Sequence, residues 1–262
     1  MKLDLYQIDA FTNKIFGGNP ACVIPLNKWL EDDILLKIAK ENAVAETAFF
    51  VINADKILLR WFTPEIEMDL CGHATLATAH CLSKILRYES QSFIFETLSG
   101  DLTVNVEDDF YNLDLPSRMP IGAKLPINIK KALNIQPKEI LKSRDFFLVY
   151  DNETAIRNIK IYRQFFDEIN LGTGGVTVTV KGDNCNFVSR FFTPQSAILE
   201  DPVTGSAHCS LIPYWSKKLN KNKMFAMQVS DRVGELYCTD NGERVIIKGR
   251  AKTYSIGSLW TE

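Results

Sequence analysis

The chain has 262 residues, of which 46% are hydrophobic and 24% charged, and its formal net charge at pH 7 is −2. This is an ordinary globular composition that can bury one large core or two smaller ones, and its near-neutral charge argues against a nucleic-acid or anionic-membrane surface. No apolar run approaches the roughly 20 residues of a membrane span, and the N-terminus does not have the apolar core of a signal peptide.

Hydrophobic periodicity in the first half predicts a strand, a glycine-rich turn at 17–20, and then further strands with two helices. The first helix is predicted over 29–41. The second is predicted over 74–86 and is apolar almost all round, which indicates a buried helix. The predicted strands, in chain order, are 3–11, 21–25, 46–52, 56–62, 93–97, 102–106 and 111–115.

The segment 116–124 holds two prolines and a glycine and is the predicted linker. Beyond it the order of elements repeats. Helices are predicted over 156–169 and 206–217, and strands over 146–150, 176–180, 186–192, 225–229, 235–238 and 244–248. The last two strands are joined by Asp240-Asn241-Gly242, a strong hairpin signal.

One motif occurs in both halves. Residues 60–64 read Arg-Trp-Phe-Thr-Pro and 190–194 read Arg-Phe-Phe-Thr-Pro, and each run leads into a Gly-x-Ala, at 72–74 and 205–207. The offsets, 190 − 60 = 130 and 205 − 72 = 133, are close to half the length of 262. The chain is therefore predicted to contain two copies of one unit, 1–117 and 118–262, with a terminal strand able to cross into the first half. A ligand site is expected where the copies face each other.

The paired glycines predict anion binding. A helix that begins near Gly72 or Gly205 presents free N–H groups and the positive end of its dipole, and a glycine lets the backbone approach a ligand closely. Two such helix starts would bind one small carboxylate. The alternative is that both glycines only permit tight turns.

The differences between the copies indicate the chemistry. His73 in the first copy corresponds to Ser206 in the second, and Glu46 corresponds to Val176, since 46 + 130 = 176. Desolvation of a lone glutamate in an apolar run is expected to raise its pKa and suit it to exchange protons with carbon near neutral pH. The alternative for Glu46 is an ordinary surface charge at a strand edge.

Other chemistries fit less well. The run Thr204 to His208 lacks the second glycine of a serine-hydrolase elbow. His73 and His80 are seven residues apart on one helix face but have no third metal ligand at a recognisable spacing, so His80 is expected to be a core histidine. Cys71 could be a thiolate base at a helix start, yet a two-thiol racemase needs a second cysteine where Thr204 stands. The six cysteines include no Cys-x-x-Cys pair, which predicts reduced thiols in the cytoplasm.

Together these motifs resemble the PhzF-like family, the phenazine-biosynthesis isomerase and its relatives. The stretches that carry the resemblance are Asp9-Ala10-Phe11, Gly18-Asn19-Pro20-Ala21-Cys22-Val23, Ala45-Glu46-Thr47-Ala48-Phe49, the two repeated motifs, Cys71-Gly72-His73-Ala74-Thr75 and Glu200 to His208. The resemblance implies an α/β fold of the α+β type, similar to diaminopimelate epimerase. Each of its two pseudo-symmetric domains would be a curved, mostly antiparallel sheet wrapped around a central helix.

The resemblance also implies a site in the cleft between the domains, no cofactor and usually a homodimer, and the residues themselves predict no metal. It carries the catalytic glutamate onto Glu46 and the supporting residues onto His73, Asp201 and Ser206. Asn19 is added as a residue that shapes the substrate pocket.

The predicted function is thus a cofactor-independent isomerase that moves a proton between carbons of a small carboxylate-bearing metabolite. Glu46 would carry the proton, His73 and Asp201 would orient the substrate, and the amides at Gly72 and Gly205–Ser206 would hold its carboxylate. Two alternatives stay open: a non-catalytic carboxylate-binding protein, and an epimerase of amino-acid-like substrates that uses Glu46 and Cys71.

Overall fold

The computed structural model describes residues 1–53 and 56–261. The chain forms two compact units: Met1–Leu115 together with Ile247–Glu262, and Pro116–Ile246. Both are rich in strands and contain few helices, which confirms the predicted mixed α/β class.

Strands outnumber helices along the whole described chain. The strands are β1 Lys2–Ala10, β2 Asn19–Leu26, β3 Glu46–Asn53, β4 Lys56–Phe62, β5 Glu67–Met68, β6 Ser92–Thr97, β7 Gly100–Glu107, β8 Phe110–Pro116, β9 Ile121–Gly122, β10 Glu139–Lys142, β11 Phe146–Val149, β12 Val176–Lys181, β13 Phe187–Phe192, β14 Glu200–Asp201, β15 Lys223–Gln228, β16 Gly234–Asp240, β17 Arg244–Gly249 and β18 Ala251–Trp260. The helices are α1 Asp32–Asn42, α2 Gly72–His80, α3 Ile127–Ala132, α4 Glu153–Arg157, α5 Arg163–Phe166 and α6 Gly205–Leu219. A π-helical turn, Cys81–Ile85, follows α2 directly.

The first unit is a mostly antiparallel sheet around α2. Strand β1 pairs antiparallel with β2 and β18, β2 pairs parallel with β3, and β3 pairs antiparallel with β4. Strand β4 pairs parallel with β6, and β6, β7 and β8 form an antiparallel meander. Every residue of α2 is buried, and the helix contacts β1, β2, β3, β7 and β18. It is therefore the buried central helix that the sequence predicts.

The second unit has the same plan around α6. Strands β11 and β12 pair in parallel, β12 and β13 antiparallel, β13 and β15 in parallel, and β15 and β16 antiparallel. Within α6, the indole N–H of Trp215 donates to Thr179 on β12 at 2.9 Å, and the hydroxyl of Tyr214 donates to Glu139 on β10 at 2.7 Å. These bonds satisfy the polar atoms of large side chains that would otherwise be costly to bury.

The prediction of one helix over 156–169 is wrong. The structure has two short helices, α4 and α5, with non-helical backbone between them. Ile161 forms a β-bridge with Leu133, the N–H of Lys160 donates to the side chain of Asn134, and the N–H of Tyr162 donates to the carbonyl of Ala132. These bonds to a distant segment replace the hydrogen bonds that would continue the helix, so tertiary contacts override the local periodicity.

The repeated Arg-x-Phe-Thr-Pro motif has a structural role in each unit. Arg60 donates two hydrogen bonds to Glu67 at 2.7 and 2.8 Å, and Arg190 donates two to Glu200, both at 2.7 Å. Each guanidinium also lies over the phenylalanine two residues later, 5.1 Å from the ring centroid of Phe62 in one unit and 5.0 Å from that of Phe192 in the other. The motif therefore ties the loop before each glycine-started helix to the sheet.

We expect Arg60→Lys and Arg190→Lys each to lower the free energy of unfolding by about 1–2 kcal/mol, because lysine cannot make the paired bonds of a guanidinium. The loss at Arg190 should be at least as large, because its side chain also donates to the carbonyls of Ile156 and Ile159, whereas the further partner of Arg60, Asp32, is largely exposed. Urea unfolding measures both. The control is Lys56→Gln, which breaks an exposed ion pair with Glu96 and should leave the urea midpoint nearly unchanged. Equal effects of all three substitutions would contradict this role.

Candidate active site

Four predicted site residues of the first unit come from the starts of three elements. Asn19 begins β2, Glu46 begins β3, and Gly72 and His73 begin α2. Strands β2 and β3 are parallel and pair Ala21 with Glu46, so their starts lie at the same edge of the sheet. The structure thus brings together residues that are far apart in the sequence.

His73 is the centre of this cluster. Its Nε2 lies 3.2 Å from Oε2 of Glu46, and its Nδ1 lies 3.1 Å from Nδ2 of Asn19 and 3.6 Å from Sγ of Cys71. An amide nitrogen only donates, so Nδ1 of His73 accepts from Asn19 and the ring proton of the neutral imidazole is on Nε2. That proton is on the side of the ring that is close to the Glu46 carboxylate.

The Glu46–His73 contact is close but does not have the alignment of a hydrogen bond, although its 3.2 Å separation falls within an ion-pair distance. Burial explains why it is not an ion pair: His73 is 2% exposed, and desolvation lowers its pKa to about 3. The imidazole is therefore neutral at physiological pH. Catalytic hydrogen bonds are often poorly aligned before substrate binds.

Both glycine-started helices begin without a side-chain cap. The N-cap residue of α2 is Cys71 and that of α6 is Thr204, and neither accepts a capping hydrogen bond. Most helices use such a cap to satisfy their first N–H groups. The uncapped first turn of α2, next to Glu46 and His73, is therefore suited to bind an anion.

A loop held by a buried carboxylate positions Asn19. The Asp9 carboxylate, 2% exposed, accepts a hydrogen bond from the N–H of Phe16 at 2.9 Å and holds the turn that leads into β2. Gly18 in this turn has φ +59°, and a Cβ there would overlap the carbonyl oxygen of Ala10. Asn19 itself is fully buried. Sequence reasoning noted Asp9 only as part of a family motif and missed this supporting role.

The predicted site residues of the second unit also lie close together within that unit. Asp201 ends β14, and Gly205 and Ser206 begin α6. The Asp201 carboxylate accepts a hydrogen bond from the hydroxyl of Thr204 at 2.5 Å. This bond gives Asp201 a role in shaping the turn before α6, and its predicted role toward a substrate remains a prediction.

Gln228 holds the same turn and was missed by sequence reasoning. Its fully buried amide accepts from the N–H of Thr204 at 2.8 Å and donates to the carbonyl of Asp201 at 2.8 Å. Its Nε2 is also 3.2 Å from the Thr204 hydroxyl. A polar residue at the end of β15 was the only available signal, and it does not distinguish Gln228 from a surface glutamine.

The first-unit cluster has the donor types of a metal site. Glu46, Cys71 and His73 each offer a ligand atom, and these atoms all lie within 4.8 Å of one another. A thiolate, an imidazole and a carboxylate are ligands that Zn²⁺ accepts. The sequence predicts no metal at this position.

His80 is the core histidine that the sequence predicts. Its Nδ1 lies 2.9 Å from the hydroxyl of Tyr111 and its Nε2 lies 2.9 Å from the hydroxyl of Thr253, so both ring nitrogens have partners. Burial, with the charges of Lys84 and Lys252, lowers its pKa to about 4. His208, fully buried, has its pKa lowered to about 4 by burial as well.

We expect His80 to contribute to acid sensitivity. Its pKa is lower in the folded state than in the unfolded chain, near 6.5, so the unfolded chain binds the proton more readily. The contribution of neutral His80 to the free energy of unfolding is fully present above pH 6.5. It is lost as pH falls toward the folded-state pKa of about 4. Between pH 8 and pH 5, His80→Gln should lose about 2 kcal/mol less unfolding free energy than the wild type. Urea unfolding at both pH values measures this, and identical acid losses would contradict it.

Comparison with known proteins agrees with this architecture. The model of the PhzC–PhzF family, described as phenazine biosynthesis-like proteins, matches residues 8–257. An uncharacterized isomerase from Pseudomonas aeruginosa is 44% identical over 259 residues, which cover 99% of each chain. The crystal structure of a PhzF family protein from Enterococcus faecalis has a TM-score of 0.93 at 42% identity, with 100% of both chains covered.

A more distant structure shows the fold alone. A probable proline racemase from Agrobacterium radiobacter is 10% identical, with a TM-score of 0.66 over 99% of this chain and 93% of its own. This likeness confirms the predicted racemase- and epimerase-like fold. No helix in the described part of the chain is long and apolar enough to cross a membrane. The chain therefore belongs to the PhzC–PhzF family of phenazine biosynthesis-like proteins, and at that family level it is an isomerase.

Proposed function

We propose that this protein moves a proton between two carbon atoms of a small carboxylate-bearing metabolite, without a cofactor, and that Glu46 carries the proton. The observation that supports this most is the 3.2 Å contact between the Glu46 carboxylate and the buried, neutral His73, next to the uncapped start of α2. A proton carrier and an anion-binding backbone thus lie side by side.

In the first step, a Glu46 oxygen removes a proton from the carbon next to the substrate carboxylate. The C–H bond breaks, an O–H bond forms on Glu46, and the electron pair spreads onto the substrate carboxylate. The N–H groups at the start of α2 stabilise this developing charge. The substrate has a carbon–carbon double bond next to the carbon that loses the proton, so the electron pair also spreads to the far end of that double bond. In the second step the O–H bond of Glu46 breaks and a proton, either the one removed or one exchanged with solvent, forms a C–H bond at that far carbon. The double bond moves to the position next to the carboxylate, the Glu46 carboxylate is regenerated, and the substrate is neither oxidised nor reduced.

His73 has a positioning and donating role in this scheme. Its Nε2–H can donate to the carboxylate of Glu46, and its Nδ1 is held by Asn19. Because burial lowers the pKa of His73 to about 3, the ring stays neutral and does not compete for the substrate proton. His73 therefore acts as a positioning residue for the Glu46 carboxylate.

We extend the proposal to the second unit on the strength of the sequence repeat. The amides of Gly205 and Ser206 are proposed to bind the substrate, and Asp201 to orient it through the turn that it forms with Thr204. Ser206→Pro removes one of these N–H groups, and Ser206→Ala is the matched control that keeps it. A raised KM in the proline variant alone is the expected result.

A homodimer and a cytoplasmic location are also proposed. Six free cysteines, five of them buried, suit a reducing compartment. Light scattering coupled to size exclusion tests the dimer: a mass near twice 29.7 kDa is expected, and a concentration-independent monomer would exclude it.

Hydrogen exchange in heavy water tests the proposed reaction. The protein is incubated in D₂O with a panel of small unsaturated and 2-substituted carboxylates, and ¹H NMR follows deuterium entering carbon. Deuterium at a carbon other than the one deprotonated supports the isomerase. Deuterium only at the original carbon, with inverted configuration, supports the epimerase. Measurable binding with neither deuterium exchange nor a shifted double bond in the ¹H spectrum supports the non-catalytic binder.

Substitution of Cys71 distinguishes the isomerase from the epimerase. Its Sγ lies 3.6 Å from Nδ1 of His73, which is the specific observation that favours an epimerase. In the isomerase scheme Cys71→Ala should keep turnover within about tenfold, because the thiol transfers no proton. A loss of about 10²-fold or more would make the thiol a second acid or base.

A further inference from the structure

A groove on the first unit lies outside the Glu46–His73 cluster and has no role in the proposed reaction. It lies between the π-helical turn after α2, the turn joining β7 to β8, and the start of β18. Its volume is about 400 Å³, within the range of small-molecule sites.

Positive charge dominates the groove. Lys84, Arg250 and Lys252 line it, against one acidic residue, Asp109. Lys84 is 3.8 Å from the largely exposed Asp109 carboxylate, whereas Arg250 and Lys252 have no ion pair with any residue in the described ranges. Two cations in the groove are therefore left uncompensated by the protein.

The Arg250 guanidinium is also held in place. It lies 3.9 Å from the ring centroid of Phe110, which fixes its plane by stacking and leaves its N–H groups for another partner. The neighbouring Lys248 differs: it does not line the groove, and its ammonium is bound to Glu107 at 2.7 Å. The charge of Arg250 is thus held in place inside the groove, whereas the charge of Lys248, just outside it, is neutralised by Glu107.

A buried hydrogen-bond chain leads to the groove. The Tyr111 hydroxyl, His80 and the Thr253 hydroxyl are linked by two contacts of 2.9 Å each. If Tyr111 donates to Nδ1 of His80, then Nε2–H donates to Thr253, and the Thr253 hydroxyl proton is available to a ligand. An anion in the groove would fix this direction, because it accepts from Thr253.

The helix end near the groove opposes an anion only weakly. The C-terminal end of a helix carries partial negative charge. In this turn the carbonyls of Cys81 and Leu82 already accept from the N–H groups of Leu86 and Tyr88. Because these two carbonyl groups are already hydrogen-bonded, they repel an anion in the groove less strongly.

We propose that this groove binds a small phosphate-type dianion. Two uncompensated cations, one stacked and one flexible, match two negative charges, and Thr253 supplies a neutral donor. This site is distinct from the carboxylate-binding helix start at Gly72 and would hold a second ligand or an effector.

Inorganic phosphate is the probe, added to the full chain at low ionic strength and followed by ³¹P NMR and isothermal titration calorimetry. We expect one saturable site, with the Kd raised by at least about tenfold in Lys252→Ala and in Arg250→Gln, each of which removes one full charge. Thr253→Val should weaken binding less. Lys252 is exposed, so its alanine variant is expected to fold, and circular dichroism checks this.

Lys248→Ala is the matched control, since it removes a lysine from the adjacent strand but outside the groove. It should leave the phosphate Kd unchanged. The proposal would be overturned by non-saturable phosphate binding or by an unchanged Kd in Lys252→Ala. It would also be overturned by an equal loss of affinity in Lys248→Ala, which would show that phosphate responds only to the general positive field of the surface.

Discussion

Glu46→Gln is expected to reduce turnover by about 10²- to 10⁴-fold, the usual contribution of a general acid or base. Glutamine keeps the size and the hydrogen-bonding oxygen of the side chain but cannot take a proton from carbon. The measurement is the rate of deuterium incorporation from D₂O into a carboxylate that the wild-type protein deuterates.

Binding should survive this substitution. In the proposed scheme the N–H groups at the start of α2 hold the substrate carboxylate, and Glu46 contributes to the reaction barrier. We therefore expect the Kd for a non-exchanging substrate analogue to change by less than about tenfold, while the exchange rate falls. A parallel loss of binding and rate would instead assign Glu46 to substrate recognition.

The control lies five residues earlier. Glu41 is on α1 and is exposed, so Glu41→Gln removes the same charge without entering the cluster. It should leave the exchange rate unchanged. Full exchange activity in Glu46→Gln would remove Glu46 from the reaction, whatever the control shows.

Sequence reasoning predicted the first-unit cluster because its members are unusual where they stand. Glu46 is a charge at the start of an apolar strand, and His73 is a histidine next to a helix-starting glycine; the structure places them 3.2 Å apart. Neither residue's spacing in the sequence predicts that contact. It depends on the packing of α2 against β2 and β3, and the family resemblance supplied only the general plan of a sheet wrapped around a central helix.

The misses have a common physical cause. The helix predicted over 156–169 is interrupted by bonds to Asn134 and Leu133, and the longest strand, β18, was not located from its sequence. Four consecutive residues of β18, 254–257, are exposed, so the strand does not alternate between buried and exposed positions as a half-buried strand does. Its pairing with β1, from Lys2 with Trp260 onward, is a contact across the whole length of the chain.

The supporting residues were the hardest to predict. Gln228 and Asp9 are buried and polar, and each holds a turn that carries a site residue. Their importance comes from the backbone groups they bond, which no local pattern shows. Residues of unusual chemistry can thus be identified from the sequence, whereas the residues that position them can be identified only from the folded structure.

Gly18→Ala is expected to be the most damaging small substitution in the first unit, lowering the free energy of unfolding by about 2–5 kcal/mol. Two effects add. A left-handed backbone costs a non-glycine residue roughly 1–2 kcal/mol. The new Cβ would also overlap the carbonyl oxygen of Ala10, a residue that pairs with Asn19 in the sheet. Overpacking of this kind costs about 1–3 kcal/mol.

Two other glycines separate these effects. Gly100 has φ +88° but open space around its Cβ position, and Gly257 has neither a positive φ nor a close neighbour. Urea unfolding should therefore give losses in the order Gly18→Ala, Gly100→Ala, Gly257→Ala, at about 2–5, 1–2 and under 1 kcal/mol. Equal losses at Gly18 and Gly100 would show that the turn relaxes around the new methyl group. If the turn does not relax, the neighbouring Asn19 must shift and no longer orients His73 toward Glu46. The fraction of Gly18→Ala protein that still folds should then catalyse deuterium exchange more slowly than the wild type.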